Sequence, residues 1–149
     1  MSSGTGLAVA VTLTGGLAGG VQAAVMGELG ERVGIVPALA FATLVSMLLA
    51  VAILTVWERS FAGIRAALDQ PVWLWVGGVM GLYIVLAITI ASPRIGVAAT
   101  IGFVIAGNLV MAAAIDWWGL FGQDEIAITW HRLLGLALLA AGSALTLRT

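Results

Sequence analysis

Five runs of mainly apolar residues fill most of this chain, at about 6–27, 37–57, 72–91, 96–118 and 130–147. An α-helix rises 1.5 Å per residue, so about 20 apolar residues cross the roughly 30 Å hydrocarbon core of a bilayer. In hydrocarbon each backbone polar group must be satisfied within the spanning structure, which rules out lipid-exposed loops and open sheet edges at span depth. The pattern predicts an all-α integral membrane protein, with five transmembrane helices in a single domain over residues 1–149. Composition agrees, with 62% hydrophobic and 9% charged residues, where soluble domains carry about 25% charged residues. Polar turns, "GELGERVG", "SPR" and "GLFGQDEIAIT", separate the runs. Within "ERSFAGIRAALDQP", Phe61, Ile64 and Leu68 stand at helical spacing. They predict a short helix over about 59–69 lying at the membrane interface, with Pro71 opening the next span. The N-terminal "MSSGTG" has no basic n-region and the apolar run after it exceeds a signal h-region. The first segment is therefore expected to persist as a helix.

Charge narrows the function classes. All six basic residues are arginine, they are scattered singly, and the net charge is −1, so no basic patch exists for nucleic acid. The absence of cysteine removes disulfides, thiolate metal sites and thiol nucleophiles. His131 is the single histidine and no span carries a carboxylate pair, so neither a metal site nor a catalytic dyad can be assembled within one chain. No enzyme activity and no cofactor are expected.

Five spans put the termini on opposite sides. If the N-terminal side is face one, Arg59, Arg65 and Arg132 lie on face one and Arg32, Arg94 and Arg148 on face two. The excess of basic residues that normally sets orientation is missing. Trp57, Trp73, Trp75, Trp117, Trp118 and Trp130 all fall on face one, although tryptophan belts usually mark both interfaces. A second copy inserted upside down would supply the absent belt, and the charge balance permits it. The alternative is that all copies insert one way for reasons outside the loops.

Helices in lipid pack through small residues that let backbones approach. Gly15 with Gly19 and Gly77 with Gly81 have the four-residue spacing of such faces. Polar side chains within the spans are few, and Gln22, Ser46, Tyr83, Thr89, Thr100 and Asn108 are among them. A hydroxyl can bond to a carbonyl of its own helix; an amide cannot easily do so. Gln22 and Asn108 are therefore either interhelical hydrogen bonds or parts of a polar cavity. Gln22 is placed roughly 8 Å from the face-two end of its span by rise per residue. A cavity shared by Gln22, Asn108 and Tyr83 is the expected substrate-binding site, with the tyrosine ring available to an apolar or cationic group. Carboxylates stay at the span ends: Glu28, which can pair with Arg32 at i+4, Glu58, and Asp116 just inside the "DWW" belt. Glu28 and Asp116 are the candidates for gating or structural charge.

The order of these features resembles the YdcZ-like family of the drug/metabolite transporter superfamily. The resemblance rests on "GLAGGVQAAVMGELGERVG", "ALAFATLVSMLLA", "PVWLWVGGVMGLYIV", "SPRIGVAATIGFVIAGNLVMAAAIDWWGLFG" and "RLLGLALLAAGSAL", which cover nearly the whole chain. The family pattern has a span-one glutamine, matched by Gln22, paired glycines in span three, matched by Gly77 and Gly78, and an aspartate closing span four, matched by Asp116. Met26 stands where the family often has asparagine, and Asn108 where it has glutamine. The resemblance implies a five-span half-transporter completed by an inverted partner, so that the dimer is similar to a ten-helix drug/metabolite transporter.

The expected function is transport of small polar or amphiphilic metabolites or drugs by alternating access in a dimer, in the plasma (inner) membrane of a bacterium. The partners are the lipid bilayer, a small-molecule substrate, and an antiparallel identical chain or a paralogue. A non-transporting subunit that stabilises a larger complex is the alternative, and it predicts a dry contact around Gln22 and Asn108. A narrow channel would need rings of carbonyl or charged groups, which the sequence does not offer.

Overall fold

A computed structural model describes residues 3–122 and 129–147. The described chain holds six α-helices and no strand: α1 Ser3–Val33, α2 Ile35–Trp57, α3 Ala62–Leu68, α4 Val76–Ile95, α5 Val97–Trp118 and α6 Trp130–Leu145. Short 3₁₀ turns, Val72–Trp75 and Leu120–Gly122, precede α4 and follow α5.

Four segments are long and apolar enough to cross a membrane: Gly4–Val33, Ile35–Trp57, Val72–Ile95 and Val97–Trp118. Where a fifth span is expected the chain forms the shorter apolar helix α6, which ends at Leu145 after 16 residues, about 24 Å of helix. The interfacial helix is confined to seven residues, Ala62–Leu68, and Phe61, Ile64 and Leu68 are exposed beside and along it. Residues 123–128 of the last polar turn, with Asp124 and Glu125, lie outside the described residues, as does Arg148.

Two expected turns are helical. The segment "GELGERVG" continues α1 to Val33 and "SPR" continues α4 to Ile95. One glycine makes each connection: Gly34 with φ 94°, ψ 154°, and Gly96 with φ 86°, ψ 155°. This backbone region is essentially reserved for glycine. Arg32 Nε donates to Glu28 Oε1 at 2.6 Å one turn earlier, so the charged residues support helix rather than ending it. Each hairpin closes alike. Gly34 N–H donates to the Gly30 carbonyl (3.0 Å) and Ala38 N–H to the Gly34 carbonyl (3.1 Å). In the second hairpin, Gly96 N–H donates to Ser92 and Thr100 N–H to Gly96, both at 3.1 Å.

Helix α1 packs on α4, α2 and α5, α4 also packs on α2 and α5, and α6 touches α5 alone. Burial is concentrated beside the two glycine turns. The buried apolar residues are Ala23, Met26, Ala38, Ile88 and Ala99, and the buried polar ones are Thr89, Ser92, Thr100 and Ser143. Toward face one the helices expose their side chains, and all six tryptophans lie exposed at helix ends on that side. Trp73 stacks on Phe121 with ring centroids 5.9 Å apart, which ties the start of the third long segment to the turn after α5.

Candidate functional site

Helices α1, α2 and α4 border an open groove of about 200 Å³ lined by the exposed Gln22, Thr43 and Ser46 together with Ala42, Gly78, Gly81, Leu82 and Val85. Because α1 runs on to Val33, Gln22 stands twelve residues before the Gly34 turn, about 18 Å away along the axis. The charged Glu28, exposed and paired with Arg32, is six residues from Gln22, about 9 Å along the axis, close to the roughly 8 Å expected between Gln22 and the end of its span. Ser46 is twelve residues beyond the same turn, at the same depth. Gly78 and Gly81 present no side chain, and a Cβ on either would meet open space. The groove is therefore apolar walled, with one amide and two hydroxyls at one level. Thr43 Oγ1 donates to its own Leu39 carbonyl at 2.8 Å and keeps acceptor capacity toward the groove. The Gln22 amide makes no hydrogen bond within the described residues.

The expected three-residue cavity is not assembled in the single chain. Tyr83 is exposed and does not line the groove, because Leu82 and Val85 take the positions facing it and the 100° step from Leu82 turns Tyr83 away. Asn108 is also exposed and does not line it; it belongs to α5, which packs on α1 and α4 but not on α2. Asn108 sits twelve residues beyond the Gly96 turn, at the depth of Gln22 and Ser46. Ser46 stands out in the sequence as a polar residue within its span but not as a site residue, and Thr43 does not stand out at all. Their signal was a hydroxyl pair three apart in an otherwise apolar span.

Within the single chain the closest glycine contacts lie away from the four expected to pack. Cβ atoms on Gly15, Gly19 and Gly77 would meet nothing within 4 Å, like that on Gly81. Close approach falls instead to Gly27, Gly30 and Gly102. A Cβ on these would lie 3.0 Å from Ser92 Cβ, 2.8 Å from Thr89 Cγ2 and 2.6 Å from Ser143 Oγ respectively.

Asp116 is half-buried and lines a separate groove of about 370 Å³ between α5 and α6, walled by Leu109, Ala112, Ala113, Gly135, Leu136 and Leu139. Glu28 is exposed at the face-two end of α1 and paired with Arg32, an arrangement worth little energy at a wet surface. No group of three or more metal-ligating side chains occurs among the described residues.

No curated protein and no solved structure gives a significant match to the chain. A family model described as "Putative inner membrane exporter, YdcZ" matches residues 7–145. That description and four long apolar helices agree on a multi-pass protein of the inner membrane. The match covers nearly the full length, and the chain belongs to the YdcZ family that this description names.

Proposed function

We propose that this chain carries small polar or amphiphilic metabolites or drugs across the inner membrane, and that it works as an antiparallel dimer by alternating access. The observation that carries this reading is the Gln22 amide within the first span, without a hydrogen-bond partner among the described residues, lining a groove with Thr43 and Ser46 where Gly78 and Gly81 leave room. An amide in hydrocarbon without a partner costs several kcal/mol, so the groove needs a solute, water or a second chain. Asn108 and Tyr83 face outward at similar depth and would complete the site from an inverted copy, as repeat interfaces do in transporters. In this reading α6 crosses as a short fifth span, accommodated by local thinning of the bilayer.

The test is flux into proteoliposomes for a panel of amines, amides and amphiphiles, with wild type, Gln22→Leu and Ser46→Ala. Saturable flux lost in Gln22→Leu, with the fold and the dimer retained, is expected. Wild-type flux from Gln22→Leu overturns the site. If no saturable flux is seen and Gln22→Leu raises thermal stability, the non-transporting subunit replaces the carrier.

A further inference from the structure

The four long helices are one hairpin used twice. Residues 14–57 and 76–119 align without a gap at an offset of 62 positions. Gly15, Gly16 and Gly19 fall on Gly77, Gly78 and Gly81, the Arg32-x-Gly34 turn falls on Arg94-x-Gly96, and Phe41 falls on Phe103. The structure obeys the same register. Gly34 and Gly96 share one backbone conformation, and Met26 and its mate Ile88 are each only 4% exposed. Ala38 and its mate Thr100 are both buried. The contacts between the hairpins are exchanged by the same shift: Gly27 against Ser92 becomes Thr89 against Gly30, and both contacts are present. Helix α2 packs on α4 just as α5 packs on α1. These relations define a local two-fold axis along the membrane normal, between α1 and α4, the arrangement of parallel repeats in transporters.

The axis joins two very different halves. Every buried described residue lies within about four helical turns of Gly34, Gly96 or, for Ser143, the face-two end of α6. Toward face one no described residue is buried; Leu17 and its mate Val79 are 74% and 61% exposed. Few buried contacts mean low local stability, whereas a close-packed contact transmits force without yielding. Pro93 sits inside α4 beside this contact. Lacking an N–H, it leaves the Thr89 carbonyl without its helical donor, at the point where Gly30 presses on Thr89.

We propose that hairpins α1–α2 and α4–α5 are rigid bodies that rock about the Gly27/Ser92 and Gly30/Thr89 contacts at face two, opening and closing the helices at face one. The Gln22 groove spans both hairpins, so the same motion widens and narrows it. The motion belongs to the chain itself and stands whether or not the groove carries a solute.

The absence of cysteine makes paired spin labels clean reporters. Three pairs are read in the full chain in lipid nanodiscs, diluted with unlabelled protein so that distances between copies drop out. Leu17 with Val79 reads across the hairpins at face one, Glu31 with Arg94 reads across them at face two, and Leu13 with Val56 reads within one hairpin. A broad or two-peaked distribution is expected for the first pair and single narrow ones for the other two. Gly30→Ala should shift the Leu17–Val79 populations and leave Leu13–Val56 unchanged, and Thr89→Ser, which removes the clashing methyl, should restore them. A single narrow Leu17–Val79 distance overturns the proposal, as does broadening of Leu13–Val56. Should Gly30→Ala fail to fold, the wild-type distances alone decide. No substrate enters the experiment, so a failure of transport and a failure of the pivot are told apart.

Discussion

Ser143 closes down on Gly102: its Oγ lies 2.6 Å and its Cβ 2.9 Å from where a Cβ on Gly102 would begin. That oxygen also donates to the Leu139 carbonyl of its own helix at 2.8 Å, so it cannot swing aside without losing a hydrogen bond. Since α6 rests on α5 alone, this contact is central to its docking. Gly102→Ala should lower stability by about 1–3 kcal/mol, as overpacking does, and Ser143→Gly in the same chain should recover most of it. Unfolding midpoints in mixed micelles check both. An unaltered midpoint for Gly102→Ala would show that α6 shifts freely along α5.

The one-residue hairpin turns should be intolerant of a side chain. Gly34→Ala and Gly96→Ala each force alanine into the region near φ 90°, ψ 155°, at a cost of about 1–3 kcal/mol per site. Both should reduce folded yield and unfolding midpoint, whereas Gly6→Ala, on an exposed face with no close neighbour, should be neutral or mildly stabilising. Equal behaviour of all three would mean that the turns relax into another conformation.

How much of this was legible depends on which physical signal was local. Span length was legible, because apolar residues in lipid need little more than a count, and the "VAATIGFV" to "DWW" span was placed to within a residue at each end. The turns were misread because polarity stood in for chain reversal. At a membrane surface Glu28 and Arg32 can remain helical and paired, and the reversal needs only Gly34. Four-residue spacing did not locate the close contacts within the chain, because it recurs along α1 and α4. Only where those helices converge does close approach occur, at Gly27 and Gly30, three apart. The groove was half legible. Gln22 declared itself as an amide, but its neighbours depend on which helix lies beside α1, and a list of polar residues cannot say that Thr43 and Ser46 arrive there while Tyr83 turns away.

Ser92 offers a test of packing against polarity. Its Oγ is the one buried side-chain polar atom without a hydrogen-bond partner among the described residues, while buried Thr89 and Thr100 donate to the Val85 and Gly96 carbonyls at 2.7 and 2.8 Å. Removing an unsatisfied hydroxyl can be neutral or favourable, and alanine keeps the Cβ that meets Gly27. Ser92→Ala should therefore leave the unfolding midpoint unchanged or raised by up to about 1 kcal/mol equivalent. Ser92→Val adds methyl groups against α1 and should cost about 1–3 kcal/mol. A clear loss from Ser92→Ala would reveal a bonded water or partner at that oxygen.

The antiparallel dimer makes the most demanding prediction, because it rests on a charge balance that one residue can tip. Three arginines belong to each face and no lysine breaks the tie, so orientation should follow any added basic residue near a span end. Ala62 and Ala66 lie exposed on α3 at face one, and Glu31 and Val36 lie exposed beside the Gly34 turn at face two. Ala62→Arg with Ala66→Arg should fix face one in the cytoplasm. Glu31→Lys with Val36→Lys should fix face two there. Each oriented variant alone should lose the dimer and its flux, since all copies would insert one way, and co-expression of the two should restore both. Accessibility of a cysteine at Ser2, read from each side of intact cells, gives the orientation directly: both sides for the unaltered chain, one side for each variant. If the unaltered chain is reached from one side only, or an oriented variant transports alone, the copies insert in parallel. The six tryptophans at one interface would then anchor the whole assembly from a single face.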